Sequence, residues 1–341
     1  MVRALFQPVI VAALAVALTG CLFQDKVESF VGPTMGSTYT VKYVAGSGAA
    51  DKAQLWRDTE SILAEIDKQA STYRSDSDIE IFNALPAGEC MAMSDGVREL
   101  IRAGQLLSEE SDGALDLTIE PLLDLWGFGP HGKGEQVPTA EEIATARKNV
   151  GHRYLQADGE QLCKQRAVQV DFNSIAAGYA VDRVAAMLEA SGVTSYLVEI
   201  TGELKARGFK PEGAPWRIAI EAPLDTERVA QRVVELDGLG VSTSGDYRNY
   251  FERDGVRFSH TLDPQTGAPI THHLAAVTVF DPSTLRADGL STVLMVMGPE
   301  RGLTYAAERN IAAFFVIREG QEFVSKSTEA FDELFGAGAE Q

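Results

Sequence analysis

The chain is poor in cysteine and in cationic residues, and each shortage narrows what it can be. Three cysteines, Cys21, Cys90 and Cys163, stand among 341 residues. That is too few for a disulfide framework, and no cysteine–histidine group has zinc-site spacing. Cys90 and Cys163 either pair in an oxidising compartment or remain two buried thiols. Lys and Arg number 30 against 49 Asp and Glu, a net charge of −19. A surface of that sign excludes a general nucleic-acid face. Any anionic ligand must then be met by a cation, a helix N-terminus or backbone N–H groups. No G-x-G-x-x-G follows a strand and no G-x-S-x-G elbow is present. Repeats and low-complexity blocks are missing too. Gly127 to Lys133 matches the front of a phosphate-binding loop. Gly134 follows where Ser or Thr is needed, and Pro130 interrupts it. It is expected to be a surface loop.

One apolar run stands at the N-terminus, behind Arg3. It is too short and poorly flanked to span a bilayer and reads as a secretory signal. Leu18-Thr19-Gly20-Cys21 stands where cleavage falls and has the form of a bacterial lipobox. An ordinary signal peptide with an incidental cysteine is the alternative. The expected organisation is a signal over 1–20, a lipidated Cys21, a tether over 22–30 and one domain over 31–341. The expected location is the cell envelope, anchored to the inner membrane and facing the periplasm. No later stretch is long and apolar enough to span.

Strand-like alternation occupies 37–44, and helical periodicity runs over 53–71 and 94–111. Thr139 and Glu142 form a capping box for a third helix. A strand over 167–172 leads into a helix over 174–192. Strands follow near 195–200, 203–209, 216–222, 229–236, 239–243, 257–263 and 275–281. A helix opens at Leu285, and a last strand covers 311–318. Helices and strands arrive in separate groups with hairpin-length links. That predicts an α+β fold with largely antiparallel sheets rather than a doubly wound one.

Four stretches combine polar residues with tight backbone: 34–39, 114–118, 170–182 and 258–270. The junction at 171–178 offers helix N–H groups to a phosphate, and Ser174, Ala176, Ala177 and Gly178 allow close approach. Close packing of helix on sheet would use the same small residues. His260 lies on an apolar strand face, which suits a core histidine, yet it runs into a polar turn and suits proton transfer. Asp288 and Thr292 sit four residues apart, on one helix face. They serve either as a helix cap, with Thr292 bonding back to the Asp288 carbonyl, or as oxygen ligands for a hard metal.

In this order the chain carries TMGSTY, STYRSDSDIEIFN, SDGALDLTIEPLLDLWGFG, DFNSIAAGYAVD, YLVEITGELKARG, PWRIAIEAP, STSGDYRNYF, SHTLDPQTGAPI and ADGLSTVLMVMG. Their succession over residues 30 to 330 resembles the ApbE-type FAD:protein FMN transferases. That resemblance implies a T-fold-like α+β architecture. It implies transfer of FMN from FAD to a threonine or serine hydroxyl of an acceptor flavoprotein, with release of AMP. Acceptors in the family are subunits of membrane redox complexes and exported flavoproteins. Asp288 and Thr292 match side-chain magnesium ligands, and Ser174 a main-chain one. Met35, Tyr73, Ala114, Leu115, Asp116, Asp171 and Leu262 match FAD-contacting positions, and His260 matches the histidine of transfer. Ala177 stands where many members carry Lys or Glu against the nucleotide. EITGEL replaces a more usual Gly-Gly-Asp run. Hydrolysis of FAD to FMN and AMP at the same site, or flavin carriage without chemistry, are the competing activities.

Overall fold

The computed structural model describes residues 26–46, 51–223, 229–246, 249–320 and 322–336. The expected signal and Cys21 lie outside them. Its backbone is one eight-stranded antiparallel sheet. The strands run in the order Lys26–Thr34, Ser37–Ala45, Tyr196–Ile200, Glu203–Arg207, Leu239–Gly245, Leu274–Asp281, Ala312–Glu319 and Glu322–Ser327. The α+β class and antiparallel pairing are as expected. Residues 26–30 are not tether: they form half of the first strand, with Phe30 opposite Val41.

Among the described residues, eight helices accompany the sheet: α1 (Lys52–Ala70), α2 (Asp78–Asn83), α3 (Asp95–Glu110), α4 (Glu120–Trp126), α5 (Ala140–Ala146), α6 (Ala176–Ala190), α7 (Thr284–Glu308) and α8 (Glu329–Phe335). In α1, Leu55, Thr59, Leu63, Ile66 and Ala70 are buried, a helical stripe that faces the core. Ser94 caps α3, and the Thr139–Glu142 capping box opens α5.

Strands Leu274–Asp281 and Ala312–Glu319 read as continuous apolar runs because both their faces are covered. Val277, Val279, Ala313 and Phe315 face the core shared with α1, α3, α6 and α7. Ala276, Phe280, Phe314 and Val316 face a second core with α8 and the hairpin Trp216–Glu221/Ala230–Leu236. A third cluster joins Leu122 and Trp126 of α4 to Val150, Phe251 and Leu262.

Two expected strands differ. Residues 167–172 form no strand, and among them only Gln169 makes a β-bridge, to Ile119. Asp171 and Val170 instead bond to Leu117 and Asn83. The strand expected over 257–263 ends at Ser259, and Leu262–Asp263 pairs separately with Ala268–Pro269.

Cys90 and Cys163 face each other across the pair Cys90–Ala92/Gln161–Lys164 and are joined by a disulfide 73 residues apart in sequence. Closing a loop of that length restricts the unfolded chain by up to about 4 kcal/mol. Unfolded, unreduced protein beginning after Cys21 is therefore expected to show no free thiol. Cys163→Ser is expected to lower the Tm. Two titratable thiols in the unreduced protein would contradict the pairing.

Candidate functional site

A cavity of about 990 Å³ opens between the sheet, the Trp216–Glu221 strand and the third apolar cluster. Of the predicted residues, Ala114, Leu115, Asp116, Asp171, Ser174, His260, Leu262, Asp288 and Thr292 line it. Three do not. Met35 sits at the tight turn between the first two strands, with φ 46°, while its neighbours Ser37 and Thr38 reach the cavity wall. Tyr73 lies in the turn after α1 and is 67% exposed. Ala177, half-buried in the first turn of α6, stays behind the wall.

Asp288 is not the cap of its own helix. Ser283 performs that role for α7, accepting from the Arg286 N–H. The side-chain hydroxyl that donates to the Asp288 carbonyl is that of Ser291, not that of Thr292. The buried Asp288 carboxylate accepts from the Gly178 N–H at 2.9 Å and from the Ser242 hydroxyl at 3.1 Å. The close-packing reading of the small residues therefore holds at Gly178. A Cβ there would stand 2.4 Å from the Thr284 carbonyl oxygen and 2.8 Å from Cβ of Asp288.

Glu203 meets the same serine. Its carboxylate accepts from Thr201 Oγ1 at 2.9 Å and lies 3.5 Å from Ser242 Oγ. One hydroxyl proton cannot serve two carboxylates at once. Burial, followed by the neighbouring Glu203, pushes Asp288 well above the ordinary carboxylate range. Burial likewise raises Glu203. Two crowded carboxylates, with the Thr292 hydroxyl on the same wall, are a donor set of oxygens that suits a hard divalent cation. Glu203 and Ser242 were not among the predicted site residues. The signal was present in the polar run VSTSG, which places Ser242 and Ser244 on one strand face, both within reach of Ser291.

The other two acids differ from each other. Asp171 accepts from the Asn173 N–H and side-chain amide and from Thr72, yet burial pushes it up to about 6. Burial also raises Asp116, but hydrogen bonds from His152 and Thr118 outweigh it and hold its carboxyl below the usual range.

His260 follows the break in its strand. Its N–H and its Nδ1 both bond to the Asn249 carbonyl, at 3.1 and 2.8 Å. A carbonyl only accepts, so Nδ1 carries the proton and Nε2 keeps its lone pair. Burial pushes the ring below the ordinary histidine value of 6.5, so it is neutral near pH 7. Phe128 packs edge-on against it, with centroids 6.4 Å apart. The ring thus stands on the cavity wall with Phe128 of the third apolar cluster beside it.

These carboxylates set a pH dependence. Asp288 and Asp171 lose their protons at higher pH in the fold than at their ordinary value of 3.8. The folded state then binds more protons than the unfolded one, and stability falls as pH rises through the folded values. In EDTA the Tm is expected to drop as pH rises from the ordinary value of 3.8 through about 6, where Asp171 titrates, and through the raised folded value of Asp288, and Asp288→Asn is expected to flatten that drop. An unchanged slope in Asp288→Asn would show that this carboxylate is not strained.

The profile of the ApbE family matches residues 35–315. The chain is 41% identical over 315 residues to the FAD:protein FMN transferase of Vibrio cholerae, covering 92% of this chain and 94% of that one. It is 37% identical over 328 residues to the protein of that name from Escherichia coli K12, covering 92% and 93%. The structure is similar to the apo form of the Pseudomonas stutzeri flavinyl transferase ApbE, at TM-score 0.88 and 69% identity, over 93% of this chain and 99% of that one. It is also similar to the ApbE protein of Thermotoga maritima, at TM-score 0.81 and 27% identity, over 91% and 99%. The chain belongs to the ApbE family.

Proposed function

We propose that this chain transfers FMN from FAD to a hydroxyl of an acceptor protein and releases AMP. The observation that carries this reading is one cavity lined by both the neutral His260 ring and the Asp288–Thr292 oxygen donors. FAD lies in the cavity, its apolar rings against Ala114, Leu115 and Leu262, with Asp116 and Asp171 at its polar edges. Met35 and Tyr73 approach from the rim, and Ala177 contributes no polar contact.

Asp288, Thr292 and the Ser174 carbonyl would hold Mg²⁺, and the ion would supply positive charge to the FAD pyrophosphate. Ser242 and the Gly178 N–H keep the Asp288 carboxylate in place for that task. His260 takes the proton of a threonine or serine hydroxyl on Nε2 as the oxygen attacks the FMN phosphorus. The P–O bond to AMP breaks, and a phosphoester to FMN forms on the acceptor. Asn249 holds the ring in the tautomer this needs. A lipid on Cys21 would keep the enzyme beside membrane-bound acceptors at the periplasmic face.

The test is to incubate the chain beginning after Cys21 with FAD, with and without Mg²⁺ and a threonine-bearing acceptor. Fluorescent flavin on the denatured acceptor, matched by AMP and dependent on metal, is the expected result. AMP and free FMN without labelling would replace transfer by hydrolysis. Bound FAD without any AMP would leave a flavin carrier. Asp288→Ala is expected to abolish metal-dependent turnover while the fold persists. His260→Ala should cost about 10²- to 10⁴-fold in turnover with FAD still bound. The acid limb of kcat/KM is expected below 6.5, because the ring is held below that value.

A further inference from the structure

A second cluster lies outside the cavity, where α2, α4 and the loop after α4 meet. Glu80 comes from α2, Glu120 opens α4, and His131 stands in the loop. Their ligand atoms all lie within 4.8 Å of one another. Glu120 has no exposed surface. Its Oε2 accepts from the Asn83 amide at 3.0 Å, but its Oε1 has no hydrogen-bond partner. That unpartnered oxygen points into the cluster, 3.9 Å from Nε2 of His131. The same nitrogen lies 3.2 Å from Oε2 of Glu80. A buried carboxylate oxygen without a donor is costly and calls for a missing partner.

We propose that Glu80, Glu120 and His131 form a second metal site, for a divalent transition ion of the zinc class. Two carboxylates and an imidazole are a three-protein-ligand set that zinc completes with water. Magnesium, which takes oxygen ligands, does not suit the imidazole. At metal–ligand distances of about 2 Å, tetrahedral ligands stand about 3.3 Å apart. With every ligand atom within 4.8 Å of the others, the cluster has to close by about 1.5 Å at most between any two of them. Its supports are already built. The Asn83 amide contacts both Glu80 and Glu120, and the His131 N–H donates to Asp124 at 2.9 Å. The burial that leaves Oε1 without a partner also pushes the Glu120 carboxyl up to about 9, with Asp171, Glu80 and Asp124 adding to it. A bound cation would relieve that. The ion would tie the loop carrying Phe128, which packs on His260, to α2 and α4.

The site can be read apart from the cavity. In the Asp288→Ala background, which removes one of the two carboxylates of the cavity's donor set, Co²⁺ serves as the probe. One Co²⁺ per chain, with visible absorption and a paramagnetically shifted imidazole proton, is expected. Zn²⁺ should displace it and Mg²⁺ should not. His131→Ala in that background should weaken Co²⁺ binding about tenfold or more. His131 is exposed, so the variant keeps the fold, and Glu120→Gln should show the same loss. Co²⁺ that fails to bind, or binds equally well after His131→Ala, overturns the site.

Discussion

The contact between α6 and α7 at Gly178 is the constraint on which the site depends. The two helices approach until no Cβ fits at that position. The Gly178 N–H then finds the Asp288 carboxylate, so an N-terminal donor of one helix is satisfied by a side chain of the next. Ser242 meets the same carboxylate from the sheet. Ala287, Leu290, Val293 and Leu294 around it are fully buried, so the first turns of α7 cannot swing. A carboxylate held from two sides keeps its geometry even though burial opposes its charge.

The interior of this acidic protein places carboxylates in different electrostatic situations. Asp116 has enough donors to remain ionised. Asp171 has donors yet is pushed up to about 6. Asp288 and Glu203 share one hydroxyl, and Glu203 raises the cost of charging Asp288. Glu120 leaves an oxygen with nothing to bond. Donors compensate burial in the first case, and in the last two burial leaves carboxyls that resist ionisation unless a cation stands beside them. The sign of the whole chain thus recurs at the scale of its sites.

Much of the architecture was legible because it rests on local periodicity. The stripe of α1, the caps of α3 and α5 and the apolar runs of the central strands each carry their own signal. The misreadings fall where pairing partners decide. Residues 26–30 look polar and free, yet they complete a hairpin. Residues 167–172 look like a strand, yet Asn83 and Leu117 take their backbone groups. The break at His260 has no signal of its own, because it depends on the Asn249 carbonyl.

Ordered motifs carried the family, and the spacing of Asp288 and Thr292 put both on one helical face, because a helix has a fixed pitch. Their surroundings came only with the tertiary structure. Glu203 is 85 residues before Asp288 in sequence, and Ser242 is 46 before it. Likewise, only folding brings His131 beside Glu80, 51 residues away. Local spacing dictates which side chains share a face. Strand order and helix packing dictate which distant charges must share a volume, and that decides their ionisation.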